Sequence, residues 1–147
     1  MLSKAVKEKL KKNQKVLALW AADCAEHVLP YFEKKYPRDE RPRKAIEAAR
    51  AWTHGEISVG EARTAALAAH AAARATDDPS ARTAARSAGH AAATAHVASH
   101  SKAAASYAAS AAGAAALSEE HEWQKNRLKK SLRKIILTRQ PRIKQLL

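Results

Sequence analysis

The chain has 147 residues and a net charge of +13; 46% of its residues are hydrophobic, only 5% are aromatic, and one is a cysteine. That length suits one domain, residues 1–147, which buries roughly 68 to 70% of the surface its unfolded form exposes. A lone thiol excludes an internal disulfide, and the shortage of aromatic and β-branched residues argues against a sheet.

Between Ala62 and Leu117, 28 of 56 positions are alanine, the residue with the highest helix propensity. The expected fold is therefore all-α, a compact bundle of about six Ala-rich helices whose small side chains let the axes approach closely. The charge is wholly terminal. Residues 1–15 carry six lysines and one glutamate, residues 125–147 carry nine Lys or Arg and no acid, and the middle holds twelve basic and thirteen acidic residues. Such ends are read either as solvated helix faces or as anion-binding arms.

In chain order, "MLSKAVKEKLKKNQKV" has no long apolar run behind its lysines, so no secretory signal is expected and the cytoplasm is the expected location. The first amphipathic segment is "NQKVLALWAADCAEHVL", with Val16, Trp20, Cys24, His27 and Val28 recurring at spacings of three and four, and Pro30 ending it. A short piece around "YFEKKYP" follows. A helix then begins near Arg41 with Pro42 in its first turn, and Gly55 closes it. Ser58 and Glu61 have the spacing of a capping box. "DDP" ends that helix and starts the next, with Asp78 as N-cap and Pro79 at the first helical position.

The helix from Pro79 is expected to reach about Ser99, where "SHS" is a candidate interruption before "KAAASYAASAAGAAAL". Ser118, Glu119 and Glu120 mark a last start, since acids stabilise the positive end of a helix dipole. That helix shows Leu128, Leu132, Ile135 and Ile136 on one face and bases on the other. The stretches "AAHAAARA" and "AGHAAATA" around His70 and His90 form a faint repeat, read as two neighbouring helices of similar design.

The candidate chemistry rests on histidines. On an unbroken helix His96 and His100 share a side with Tyr107, while His90 points elsewhere. An i, i+4 histidine pair can hold a metal, but zinc takes three or four ligands, and no HExxH, CxxC or nearby acidic cluster completes a set. The alternatives are hydrogen-bonded spacers between close helices, a metal site, or acid-base catalysis. No metal or other cofactor is expected on the first. Cys24 and His27 lie one turn apart, which raises a thiolate pair; mid-stripe burial favours a structural thiol instead. Asp23 on a core face needs a cation, for which Arg41, Arg43, Arg50 and Arg74 are the candidates.

Together "LWAADCAEHVLPYFE", "RPRKAIEAARAW" with Gly55 after it, "AAHAAAR", "AGHAAATAHVASH" and "EHEWQ" resemble the immunity-protein-five-like family of putative immunity proteins, associated with bacterial polymorphic toxins. The resemblance spans roughly residues 16 to 125. It implies a small cytoplasmic helical protein that neutralises a toxin by binding it, with no catalytic residues assigned. Its matching positions are Trp20, Asp23 and Cys24; Arg41, Arg43, Arg50 and Trp52; and His70, Arg74, His90, His96 and His100. An inhibitor of a nuclease usually offers acidic surface, so the basic ends disfavour a nuclease partner unless the neutral middle does the binding.

The leading expectation is thus a binding protein, not an enzyme, that occludes a cognate toxin or other protein partner. Asp23, Arg41, Arg43, His70, Arg74, His90, His96 and His100 are its candidate binding residues. The alternative is a binder of nucleic acid or anionic membrane through Lys125, Arg127, Lys129, Lys130, Arg133 and Lys134. A metalloenzyme using His70, His90, His96, His100 and Cys24 is the third reading, and self-association stays open.

Overall fold

The structure is a computed structural model that describes residues 3–113 and 117–139, with side chains up to Arg133 except that of Leu117. It is all-α, with no strand among the described residues. Six helices carry the fold: α1 (Lys4–Val28), α3 (Arg41–Thr53), α4 (Val59–Arg74), α5 (Pro79–Ala93), α6 (His100–Ala112) and α7 (Leu117–Arg139), with a single turn, α2 (Pro30–Glu33), after the first.

The helix starts follow local chemistry. Ser58 and Glu61 form the reciprocal capping box, with the Glu61 amide donating to Ser58 Oγ at 3.1 Å. Asp78 Oδ2 accepts from the Ala81 amide at 2.8 Å, and Pro79 occupies the first turn of α5. Gly55 follows α3 in the left-handed region at φ 74°, where a side chain would be strained. Glu119 and Glu120 sit in the first turn of α7.

Two ends differ from expectation. α1 starts nine residues before the amphipathic segment, because Ser3 caps it by accepting from the Val6 amide and the lysines behind it are good helix formers. α5 stops at Ala93 instead of running to about Ser99. Gln14 of α1 causes this. Its Nε2 donates to the carbonyls of Thr94 and Ala95 at 2.9 and 3.0 Å, replacing the amides that a further turn of helix would supply.

The core is built of methyl groups. Ala21, Ala22, Ala25, Ala45, Ala88 and Ala104, from four helices, are fully buried in one cluster, and only Phe32, Leu29, Ile46 and Val28 add bulk among the most buried side chains. Closeness replaces bulk. The buried Ser87 hydroxyl of α5 reaches the Ala104 carbonyl of α6 at 2.7 Å, which requires the two backbones to lie almost in contact. α5 occupies the centre, packed against α1, α2, α3, α4 and α6. α7 lies across the outside on α1 and α6.

Candidate functional site

α1 and α7 meet through matching rows. Trp20, Asp23, Cys24 and His27 follow the i, i+3, i+4, i+7 spacing, as do Glu120, Trp123, Gln124 and Arg127, so each row is one helix face. His27 pairs with Glu120 and Trp20 with Gln124, so the two helices run antiparallel.

Asp23 is the hub of this seam. Its Oδ1 accepts from Arg50 Nη2 of α3 and its Oδ2 from Arg127 Nε of α7, both at 2.8 Å. The same Arg50 nitrogen also reaches Glu26 Oε2 at 2.7 Å, and this hydrogen bond holds the Glu26 carboxyl below its ordinary value. One carboxylate therefore ties three helices. Of the four cations proposed for Asp23, only Arg50 serves it. Arg41 is bound to Asp39 and Arg43 to Glu33, each through two guanidinium hydrogen bonds, because those carboxylates are their near neighbours. Arg74 lies exposed at the end of α4.

The second partner, Arg127, was grouped with the anion-binding residues; Asp23 already holds its Nε. Lys125, Lys129, Lys130 and Arg133 are exposed on α7. Trp123, Asn126, Arg127, Lys129, Lys130 and Arg133 line a basic hollow of about 430 Å³. The side chain of Lys134, those of Ile135 and Ile136, and the segment 140–147 lie outside the described residues.

Trp123 also lines a second hollow, of about 340 Å³, whose lining includes His27, Tyr31, Glu119 and Glu120. His27 Nδ1 lies 2.8 Å from Glu120 Oε2, and its ring stacks on Trp123 with centroids 3.8 Å apart. Glu120 is almost buried and also accepts from Gln124 Nε2, which in turn reaches the Ala105 carbonyl of α6 at 2.9 Å. Tyr31 stands at the rim, 44% exposed. Fixed imidazole, buried carboxylate and two aromatic rings thus enclose a surface recess. Cys24 lies beneath, fully buried; burial first, then the nearby Glu120 and Asp23 carboxylates, push its thiol far up. With His27 committed to Glu120, no thiolate pair exists between Cys24 and His27.

The alanine-rich helices carry a separate histidine cluster. The turn at residues 94–99 folds α6 back on α5, so His90 faces the very residues it was expected to avoid. Its Nδ1 meets His100 Nδ1 at 2.9 Å, its ring stacks on Tyr107 at 5.2 Å, and His70 of α4 meets it edge-on at 4.9 Å. His96 is exposed in the turn, apart from the helix it was expected to share with His100.

Arg86 Nη1 donates to His70 Nδ1 at 3.0 Å, which fixes His70 as the neutral Nε2–H tautomer. His70 and His90 are both pushed down to about 4, chiefly by burial, then by Arg86 for His70 and by His70 itself for His90. The cluster is a hydrogen-bonded join between three helices. Among the described residues no group of three or more His, Cys, Asp or Glu is placed to hold a metal ion.

Sequence reading missed Tyr31, Arg86, Glu120, Trp123 and Gln124 as site residues. The signal for three of them was present: 120, 123, 124 and 127 form a helical stripe as regular as 20, 23, 24 and 27. It escapes a hydrophobic filter because it is polar.

No curated protein and no solved structure matches the chain. The model of one family, described as Imm-5 like putative immunity protein, matches residues 8–131. That span takes in both rows of the α1–α7 seam, the Asp23 hub and all three members of the histidine cluster. The chain belongs to the Imm-5 like putative immunity protein family.

Proposed function

We propose that this protein acts as a non-catalytic, single-domain binding protein of the immunity type, neutralising a cognate toxin in the cytoplasm by covering the surface the toxin works with. The family supports a toxin-binding role. One observation carries the choice of site: half-buried Trp123, exposed Tyr31 and partly exposed His27 surround a recess whose walls are locked from behind by Glu120, Gln124 and Ala105. Binding energy concentrates on tryptophan, tyrosine and arginine anchors around such pockets, and pre-organised side chains lose little entropy on binding.

The interior supports a scaffold role in a second way. Every buried side-chain nitrogen and oxygen among the described residues has a hydrogen-bond partner. Asp23, His70, His90 and His100 join helices, and of the proposed binding residues Arg41, Arg43, Arg74 and His96 reach the surface.

The test is co-expression with the product of the adjacent open reading frame, read as growth protection and as a co-purifying complex. Trp123→Ala with Tyr31→Ala should weaken the complex by at least 100-fold, on the order of 3 kcal/mol, while leaving the helical circular-dichroism signal unchanged. Failure of the unaltered chain to bind or protect overturns the immunity reading. Full affinity in the double variant would move the interface elsewhere.

A further inference from the structure

The two basic ends of this chain are far apart in sequence and come together in space. Because α1 and α7 run antiparallel from the His27–Glu120 pair, the residues of α7 beyond Arg127 travel toward the same end of the bundle as the residues of α1 before Trp20. Gln14 marks that end, where it closes the last carbonyls of α5. Every residue from Ser3 to Asn13 is exposed. The ten helical residues Lys4–Asn13 therefore extend about 15 Å beyond Gln14.

The surface of this end has two components. Lys4, Lys7, Lys9, Lys11 and Lys12 of α1, against Glu8 alone, project beyond Gln14, and the antiparallel register brings the exposed Lys129, Lys130 and Arg133 of α7 to the base of that projection, level with the residues of α1 from Gln14 onward. Among them are exposed aliphatic side chains: Val6 at 42%, Leu10 at 53% and Leu132 at 44%. Val6 and Leu10 are one turn apart on one side of α1, and the lysines take the rest of its circumference.

We propose that this end of the molecule docks on an anionic lipid surface. Charge complementarity selects an anion, and the aliphatic side chains select which kind. A nucleic acid offers bases to stack on aromatic rings, yet none occurs in residues 1–19 or 124–147. Leu10, Val6 and Leu132 gain nothing from a phosphodiester backbone. At a membrane interface such side chains enter the acyl boundary while lysines meet the head groups. No helix among the described residues is long and apolar enough to cross a membrane, so the contact is interfacial. The inference is independent of toxin binding, because it uses the bundle's end and not the recess beside Trp123.

Flotation of the full chain with vesicles of phosphatidylcholine alone, and of three parts phosphatidylcholine to one of phosphatidylglycerol, tests it at low and high salt. The protein should float with the anionic vesicles at low salt and stay behind with the neutral ones. At roughly fivefold per basic residue, loss of three cations lowers partitioning about 100-fold, so the charge-reversing set Lys129→Glu, Lys130→Glu and Arg133→Glu should lower it by at least that. Val6→Ser, Leu10→Ser and Leu132→Ser keep every charge and should still cut vesicle binding at least tenfold, with helicity by circular dichroism confirming that both variants fold. No flotation with anionic vesicles at low salt overturns the proposal. So does an apolar triple variant that binds vesicles as well as the parent, particularly if both bind duplex DNA equally, since the surface would then read phosphate charge alone.

Discussion

Gly89→Ala tests how closely the alanine helices are pressed together. A Cβ built on Gly89 would stand 2.7 Å from His70 Cε1, 2.8 Å from Nε2 and 3.0 Å from Cδ2, three atoms of one rigid ring. Carbon atoms rest at about 3.5 to 4.0 Å, so the imidazole has to retreat by most of an ångström. It cannot do so freely, because Arg86 holds its Nδ1 and His90 lies against it. Overpacking of this kind costs ~1 to 3 kcal/mol, while alanine in place of glycine inside a helix returns about 1 kcal/mol. The variant should therefore lose ~0 to 2 kcal/mol in urea denaturation followed by circular dichroism at pH 7.5. In a His70→Ala background the ring is gone, and the same substitution should become stabilising by up to ~1 kcal/mol. A Gly89→Ala protein that gains stability in the parent background, as at any open helical site, would refute the claim that α4 and α5 meet there.

Acidification should weaken the fold before the carboxylates titrate. His70 and His90 lie at about 4 in the folded chain against 6.5 for an ordinary histidine, so the unfolded chain binds more protons and stability rises with pH. Their contribution is complete above about pH 6.5 and drains away as the pH falls toward 4; for half-buried rings facing Arg86, Arg74 and His100 the loss is ~1 to 3 kcal/mol in all. Replacing both by glutamine should flatten the urea midpoint between pH 6.5 and 4.5, and an unchanged slope would count against it. Cys24 should resist alkylation in the native protein and react only on unfolding, since its thiolate is disfavoured by burial and by two carboxylates; labelling at the rate of a free thiol would contradict this. Asp23→Asn should cost ~1 to 2 kcal/mol in thermal unfolding, less once Arg127 is alanine, because Arg50 keeps Glu26 whereas Arg127 loses the carboxylate that accepts its Nε.

The features legible in the sequence are those whose causes lie within a turn of helix. Ser58 with Glu61 and Asp78 with Pro79 act on their own neighbours, so their meaning does not depend on where the rest of the chain goes. An alanine-built core is legible for a related reason: with so few large side chains, close approach is the one way to exclude water. The histidines failed this test because their grouping depends on a distant residue. Were the helix unbroken from α5 through Ser99 into α6, His96 and His100 would share a face as expected. Gln14, eighty positions away from Thr94, ends the helix early, and the resulting turn carries His100 back onto His90 while leaving His96 in solvent. Composition alone does not place the basic residues: Arg127 belongs to a polar row that answers the one on α1, and net charge cannot tell a cation paired with Asp23 from one left at the surface like Lys129. A seam of this kind is specific where an apolar one is not. Sliding α7 by one turn on α1 would part Glu120 from His27 and Arg127 from Asp23 together, leaving polar groups of both rows unsatisfied at a cost of ~1 to 3 kcal/mol each. The register that builds the recess at Trp123 is therefore set by hydrogen bonds, while the methyl-lined interior, which is tolerant of sliding, supplies the closeness that lets them form.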